Sequence, residues 1–484
     1  MFLLAAAYPA GALLFQCLRD AGGVGLSWPS ERTLILLGRT SALAAVATLV
    51  CHIVALPISG LLARSRGGNR AAWLLAALTG VLFCPPMVCA FGWRRLLPMG
   101  MPPSACCILV WTLWLWPVVA LLLGAAWAKT GRKLYEASTL DAHPACALLR
   151  VIVPAMSRTI GTSVLIVFML CFSDYSVPHA FGLIVFPTEI LGWAGNSLNP
   201  WDTVGPSLPG FAVVILGVVC LIALNRRLLD YSDAGSSVMH QRSSTARWFS
   251  TLLIVLSVPA PLVALLANLN ETDSFSVALQ TYGHDILWSV GTAFSAGVFS
   301  VIMGVAFCGR SLVARAGAVW VLAIGAGPGA LVGLALVIAY GHPAWRFVYD
   351  HWPIVVLSYV ARFGWIGVGA AALAARRLPR SIREQAELDG VSGFAGWWWI
   401  TCPAAAPTLL GGVGIVAGLS LGDVAASALV RVPSFTPVAH VIIEKFHRLE
   451  DDMLIALSVL LTGMCIVVVL AGGIVLRFMR GRLQ

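Results

Sequence analysis

The sequence predicts an all-α, polytopic membrane protein of about twelve transmembrane helices, arranged as two parallel six-helix repeats. Three observations carry that prediction. Of 484 residues, 59% are hydrophobic and 11% charged, against roughly 25% charged in soluble domains. Apolar windows of the about 20 residues that a helix needs to cross hydrocarbon recur from end to end. An acidic segment beginning at Glu136 returns 248 residues later at Glu384.

The apolar windows fall at about 2–17, 34–62, 72–92, 105–127, 159–180, 209–224, 249–268, 285–308, 317–340, 353–375, 406–430 and 453–476. The first is short, carries Pro9 and lacks the positive n-region of a signal peptide, so it reads as a first helix, with cleavage left open. With the amino terminus inside, cytoplasmic segments hold 21 of the 31 Lys and Arg residues, as the positive-inside rule requires. The net charge of +10 is thus spread over short loops rather than gathered in one basic domain, which argues against a nucleic-acid partner. The lipid bilayer is the expected surrounding.

Other chemistries find little support. Twelve cysteines are present, but no C-x-x-C, and most, including Cys84, Cys89, Cys171 and Cys308, sit in apolar windows; neither a disulfide framework nor a zinc site is indicated. The nine histidines show no H-x-x-x-H pairing within a span, so no metal site is expected. Trp111, Trp114 and Trp116 read as packing, and Trp397, Trp398 and Trp399 as interface anchors. A phosphate-binding loop needs G-x-x-x-x-G-K-[ST], and none of the lysines, Lys129, Lys133 and Lys445, follows a glycine.

The duplication is read from register. Glu136-Ala137-Ser138-Thr139-Leu140-Asp141 matches Glu384-Gln385-Ala386-Glu387-Leu388-Asp389-Gly390. Each stretch leads through an amphipathic segment to a proline, Pro154 or Pro403, and an aspartate follows 20 residues later at Asp174 or Asp423. Upstream, Pro85-Pro86 interrupts the third window as Gly327-Pro328-Gly329 interrupts the ninth, which predicts a broken helix in the same place of each half. The halves run 1–224 and 249–484, joined by a polar cytoplasmic linker, 225–248. Six windows separate the acidic loops, so the repeats are parallel, unlike the inverted repeats of many secondary carriers.

In the second loop, Ser381 and Glu384 form an S-x-x-E capping box, and Gly390 supplies a left-handed stop. Two short helices joined at a glycine turn would make a rigid knob on the cytoplasmic face. Here the sequence resembles the permeases of type I ABC importers, whose loop begins E-A-A, continues through D-G and closes with a proline. The second copy matches at Glu384, Ala386, Asp389, Gly390 and Pro403. The first matches at Glu136, Ala137, Asp141 and Pro154, but Ala142 replaces the glycine and Pro144 follows closely.

The resemblance implies a bacterial inner-membrane permease whose two loops, 136–154 and 384–403, dock two ATP-binding cassette subunits. ATP would be bound by those partners, with no cofactor on this chain, and an exterior solute-binding protein, periplasmic or lipoprotein, would deliver cargo. Asp174-Tyr175-Ser176-Val177-Pro178, Thr188-Glu189-Ile190 and Val360-Ala361-Arg362-Phe363 look most like the fused two-half permeases of ferric-iron importers, with thiamine and phosphonate permeases close to the same pattern.

Asp174, Asp423 and Arg362 fall within apolar windows, where an unpaired charge costs a few kcal/mol or more. With Glu189 they are the candidate pathway-lining residues. The plainer reading stands beside this one: either aspartate could cap a helix end, and Arg362 could neutralise one of them. Two other functions are weighed against the permease. An ion- or proton-coupled secondary transporter would use Asp174, Asp423 and Arg362 as its relay. A membrane-embedded enzyme would need a constellation such as H-E-x-x-H, which does not occur, or a clustered nucleophile and base, which the sequence does not show.

Overall fold

A computed structural model describes residues 2–20, 30–64, 69–130, 137–140, 143–196, 201–225, 244–307, 312–377, 385, 388, 396–430 and 432–482. The described residues are helical throughout, relieved only by turns and an isolated bridge between Val432 and Phe435. Glu136, Asp141, Glu384, Ala386, Asp389 and Gly390 lie outside the described residues, as does most of the linker.

The helices run α1 (Tyr8–Asp20), α2 (Glu31–Arg64), α3 (Asn69–Phe83), α4 (Pro86–Leu96), α5 (Pro103–Thr130), α6 (Ser157–Phe172), α7 (Ser176–Ala180), α8 (Phe186–Asn196) and α9 (Trp201–Asn225). They continue through α10 (Ser244–Ser257), α11 (Pro259–Ala267), α12 (Ser274–Phe307), α13 (Leu312–Ala326), α14 (Gly329–Tyr340), α15 (Pro353–Arg377), α16 (Cys402–Leu421), α17 (Val438–Arg448) and α18 (Asp451–Arg482). Lengths recur: α2 and α12 each have 34 residues, α3 and α13 each 15, and α8 and α17 each 11.

Among the described residues, seven helices are long and apolar enough to cross a membrane. Three bent pairs qualify when joined, giving up to 10 spans, and two shorter apolar helices occupy 3–15 and 157–172. The chain is therefore a multi-pass membrane protein by length and composition.

Both expected breaks are present. The α3–α4 pair bends by 88° and the α13–α14 pair by 111°. The backbone device is the same at each: Pro85 adopts φ −57°, ψ 127°, and Pro328 φ −58°, ψ 128°. A proline ring fixes φ and offers no N–H, so the preceding helix cannot continue through it. The extended ψ then turns the chain, and the proline carbonyl accepts the first bond of the next arm, from Val88 N at 3.0 Å and from Leu331 N at 3.1 Å. A third pair, α10–α11, bends by 41° ahead of Pro259.

The chain forms two compact units that interleave along the sequence. The early unit takes Leu34–Phe186 and Ala212–Ala267; the late unit takes Met1–Thr33, Pro187–Phe211 and Asn268–Gln484. In the early unit α11 lies along α4, close enough that a Cβ on Gly92 would stand 2.3 Å from the Pro261 carbonyl oxygen. Ser257 ties the same region together: its Oγ lies 2.7 Å from the carbonyl oxygens of Leu113 and Leu253 and accepts the Trp116 indole N–H at 3.1 Å.

In the late unit α12, α15 and α16 pack closely as a trio. Small residues allow it: a Cβ on Gly367 would lie 2.3 Å from the Ser300 backbone, and one on Gly412 2.5 Å from the Ala370 Cβ. Helices in lipid gain little from burying apolar area, so close backbone approach and interhelical hydrogen bonds supply the association. On the same unit α1 lies along α14, where the Tyr8 hydroxyl donates to the Ala339 carbonyl at 3.1 Å and the Tyr340 hydroxyl to the Leu4 carbonyl at 2.7 Å.

Candidate functional site

The described parts of segments 136–154 and 384–403 share one local structure. Residues 137–140 are helical, with Ala137 exposed. Leu148–Ile152 and Trp397–Thr401 are each a five-residue π turn. Pro154 and Pro403 follow as the second residue of the α-helical stretches Val153–Ala155 and Cys402–Leu421, and both are exposed. Proline cannot donate to the carbonyl four residues back and its ring crowds that oxygen. Widening the preceding turn to π spacing moves the carbonyl away, so the proline and the extra residue belong together.

Twenty residues beyond each proline the two aspartates sit in turns at helix ends. α6 ends at Phe172, and Asp174 then takes three donors: Trp111 Nε1 at 2.8 Å and Val177 N at 3.1 Å on Oδ2, and Ser176 N at 3.1 Å on Oδ1. The amide donors are first-turn groups of α7, which have no partner inside their own helix, so the carboxylate caps that helix and sits at its positive end. α16 ends at Leu421, and Asp423 Oδ2 accepts Ala426 N at 3.1 Å. That is the same bond in the other unit, from an aspartate to the amide three residues on.

Around Asp423 the partners are hydroxyls. Ser427 Oγ donates to the Asp423 carbonyl at 2.9 Å and pairs with His440 Nε2 at 2.9 Å, and Tyr359, fully buried on α15, bonds Ser427 and faces Asp423. Tyr359 lies 248 residues beyond Trp111, and each neighbours the aspartate of its own unit. Sequence reading had placed Trp111 only as packing and had not singled out Tyr359, Ser427 or His440. Carrying the 248-residue offset from the loops to Trp111 leads to position 359, and that is the signal that could have found the tyrosine.

Arg362 is one turn further along α15. Its Nη1 donates to the Gly325 carbonyl at 3.0 Å and to the Gly327 carbonyl, so the guanidinium covers the open end of α13 at the break. A cation at a helix C-terminus meets both the unpaired carbonyls and the negative end of the dipole.

Glu189, in the first turn of α8, forms an ion pair with Arg32 at 2.8 Å, with Glu189 mostly buried and Arg32 exposed. The four candidate pathway residues divide between the units: Asp174 in the early unit with Trp111, and Asp423, Arg362 and Glu189 in the late unit, where hydroxyl, carbonyl and arginine groups respectively are among their partners. Among the described residues no group of three or more His, Cys, Asp or Glu could hold a metal ion.

At the end of α17, Lys445 bonds Glu450 at 2.5 Å and lies 5.6 Å from the centre of the Tyr282 ring. Burial of Lys445 works to lower its pKa, but the Glu450 carboxylate and Tyr282 outweigh it, and the ammonium ends above its ordinary value. Leu449 follows in the left-handed conformation, φ 59°, which closes α17 without a glycine.

No family model, curated protein or solved structure matches the chain.

Proposed function

We propose that the chain is the permease subunit of an ATP-driven solute importer in a cytoplasmic membrane, forming the translocation pathway and holding no ATPase of its own. Two ATP-binding cassette subunits would dock on the loops around Glu136, Ala137 and Asp141 and around Glu384, Ala386, Asp389 and Gly390. An exterior solute-binding protein would supply the cargo, with ferric iron the candidate suggested by the resemblance.

One observation carries this reading: the in-register recurrence of π turn, proline and an aspartate that accepts the amide three residues on, with Pro154 and Asp174 answered by Pro403 and Asp423. A single E-A-A loop is a weak motif. A duplicated unit that keeps its turn type, its proline and a hydrogen bond 20 residues downstream is what a pair of equivalent docking loops feeding equivalent helices requires. Twelve spans in two parallel six-helix repeats are supported by seven single spans, three bent pairs and two shorter apolar helices. The recurring 34-, 15- and 11-residue helices support the same reading.

The test is co-purification. The tagged chain is expressed with an ATP-binding cassette subunit encoded beside it, and wild type is compared with Gly390→Arg and Glu384→Ala. Two ATPase copies per chain, with recovery and stimulated hydrolysis reduced by the loop variants, are expected. A chain that purifies alone and moves solute on an ion gradient overturns the proposal in favour of a secondary carrier.

A further inference from the structure

The α3–α4 bend brings two thiols together that a straight helix would hold apart. Residues five apart on an unbroken α-helix point about 140° away from each other. Cys84 ends α3 and Cys89 lies in α4, and across the bend their Sγ atoms are 3.3 Å apart. Cys89 Sγ also donates to the Ser257 carbonyl at 3.4 Å, so the pair is seated against the end of α10.

Both cysteines are free and nearly inaccessible, at 2% and 4% exposure. Their surroundings are apolar, with Phe83, Met87 and Val88 buried beside them. A reagent reaches the pair only by passing between the helices, and a lipid-soluble one partitions into the medium around them, which a charged one does not. A disulfide bond is about 2.05 Å long, so closing the 3.3 Å gap asks each sulfur to move only about 0.6 Å, within reach of a small χ1 adjustment.

We propose that Cys84 and Cys89 form an oxidisable dithiol that a lipid-soluble quinone closes into a disulfide across the bend. Each thiol gives up its hydrogen and one S–S bond forms. The two protons and two electrons pass to the quinone, which leaves as the hydroquinone. The cross-link braces α3 against α4 at the bent angle and forms fastest while the bend is present.

Met87 lies between the two cysteines, which makes the test direct. Membranes containing the full chain are treated with a fully substituted benzoquinone, whose ring has no open position for thiol addition, and the remaining thiols are then alkylated. Cyanogen bromide cuts after Met87, so a disulfide holds the two pieces together until a reductant releases them. We expect linkage in the folded chain at least about tenfold faster than in the denatured chain, because the bend holds the thiols in contact. Linkage disappears in Cys89→Ser with the variant still folded by its melting profile, and charged tetrathionate leaves the pair unlinked. Linkage that forms in the denatured chain but not in the folded membrane protein overturns the proposal. Equal or faster linkage by tetrathionate overturns the requirement for a lipid-soluble oxidant.

Discussion

The two bends solve one problem with different neighbours. Both interrupt a span with a proline of nearly identical backbone angles, and both start the next arm from the proline carbonyl. At the late bend the ending helix is closed by a charge, the Arg362 guanidinium on Gly325 and Gly327. At the early bend it is flanked by thiols, Cys84 against Cys89. The second arms share a glycine set against a neighbouring carbonyl, Gly92 on Pro261 and Gly333 on Ala426, and differ in that α14 is also tied by the Tyr8 and Tyr340 hydroxyls. The fold therefore constrains the backbone at such a break more tightly than the chemistry around it, and one bend can be polar while its counterpart is not.

That contrast can be broken at three points. The largest effect is expected for Gly92→Val, whose Cβ would overlap the Pro261 carbonyl and force α4 and α11 apart, at a cost of about 3 kcal/mol. Proteolysis should then open the early unit first; an unchanged cleavage pattern would show that α11 is not seated on α4. Next is Arg362→Met, which removes a charge-assisted cap from buried carbonyls and should cost about 2 kcal/mol, lowering the melting temperature. Arg362→Lys should recover only part, because the shorter lysine side chain does not carry its ammonium to the position Nη1 takes between the two carbonyls. Full recovery by lysine would reduce the role to charge alone. The smallest is Tyr8→Phe, which deletes one hydroxyl bond to Ala339 while keeping the ring contacts with Tyr340 and Trp345, and should cost about 1 kcal/mol. Hydrogen exchange limited to α1 and α14 checks it, and protection lost across α12 and α15 would contradict it.

What could be read from the sequence follows from how local each cause is. The breaks at Pro85 and Pro328 were legible because proline's fixed φ and missing N–H act within one turn of chain. The helices were legible because lipid leaves the backbone no other way to satisfy its hydrogen bonds along an apolar run. Span counting was less sharp, since the windows at 72–92 and 317–340 each hold two helices at a large angle. The aspartates were read as charges within apolar windows, and pattern alone left lining and capping both open. The cap bonds of Asp174 and Asp423 depend on where each carboxylate points, and the Trp111 bond depends on the packing of α5 beside α6. Arg362 was considered as the partner of an aspartate; its bonds to the end of α13 join residues more than 30 positions apart, which no spacing rule reaches. The crossing of α1 into the late unit and of α10 and α11 into the early one likewise follows from tertiary packing.

The π turns before Pro154 and Pro403 carry a rotational consequence. A π turn holds one residue more than an α turn, and each residue of an α-helix advances the facing direction by about 100°. All that follows the turn is therefore indexed by it, including the face on which α6 presents Ser163 to His52 and α16 presents Gly412 to Ala370. Deleting a single residue from the first turn would leave the composition almost untouched and rotate the following helix by more than a quarter of a revolution, carrying Asp174 away from the Trp111 indole on α5.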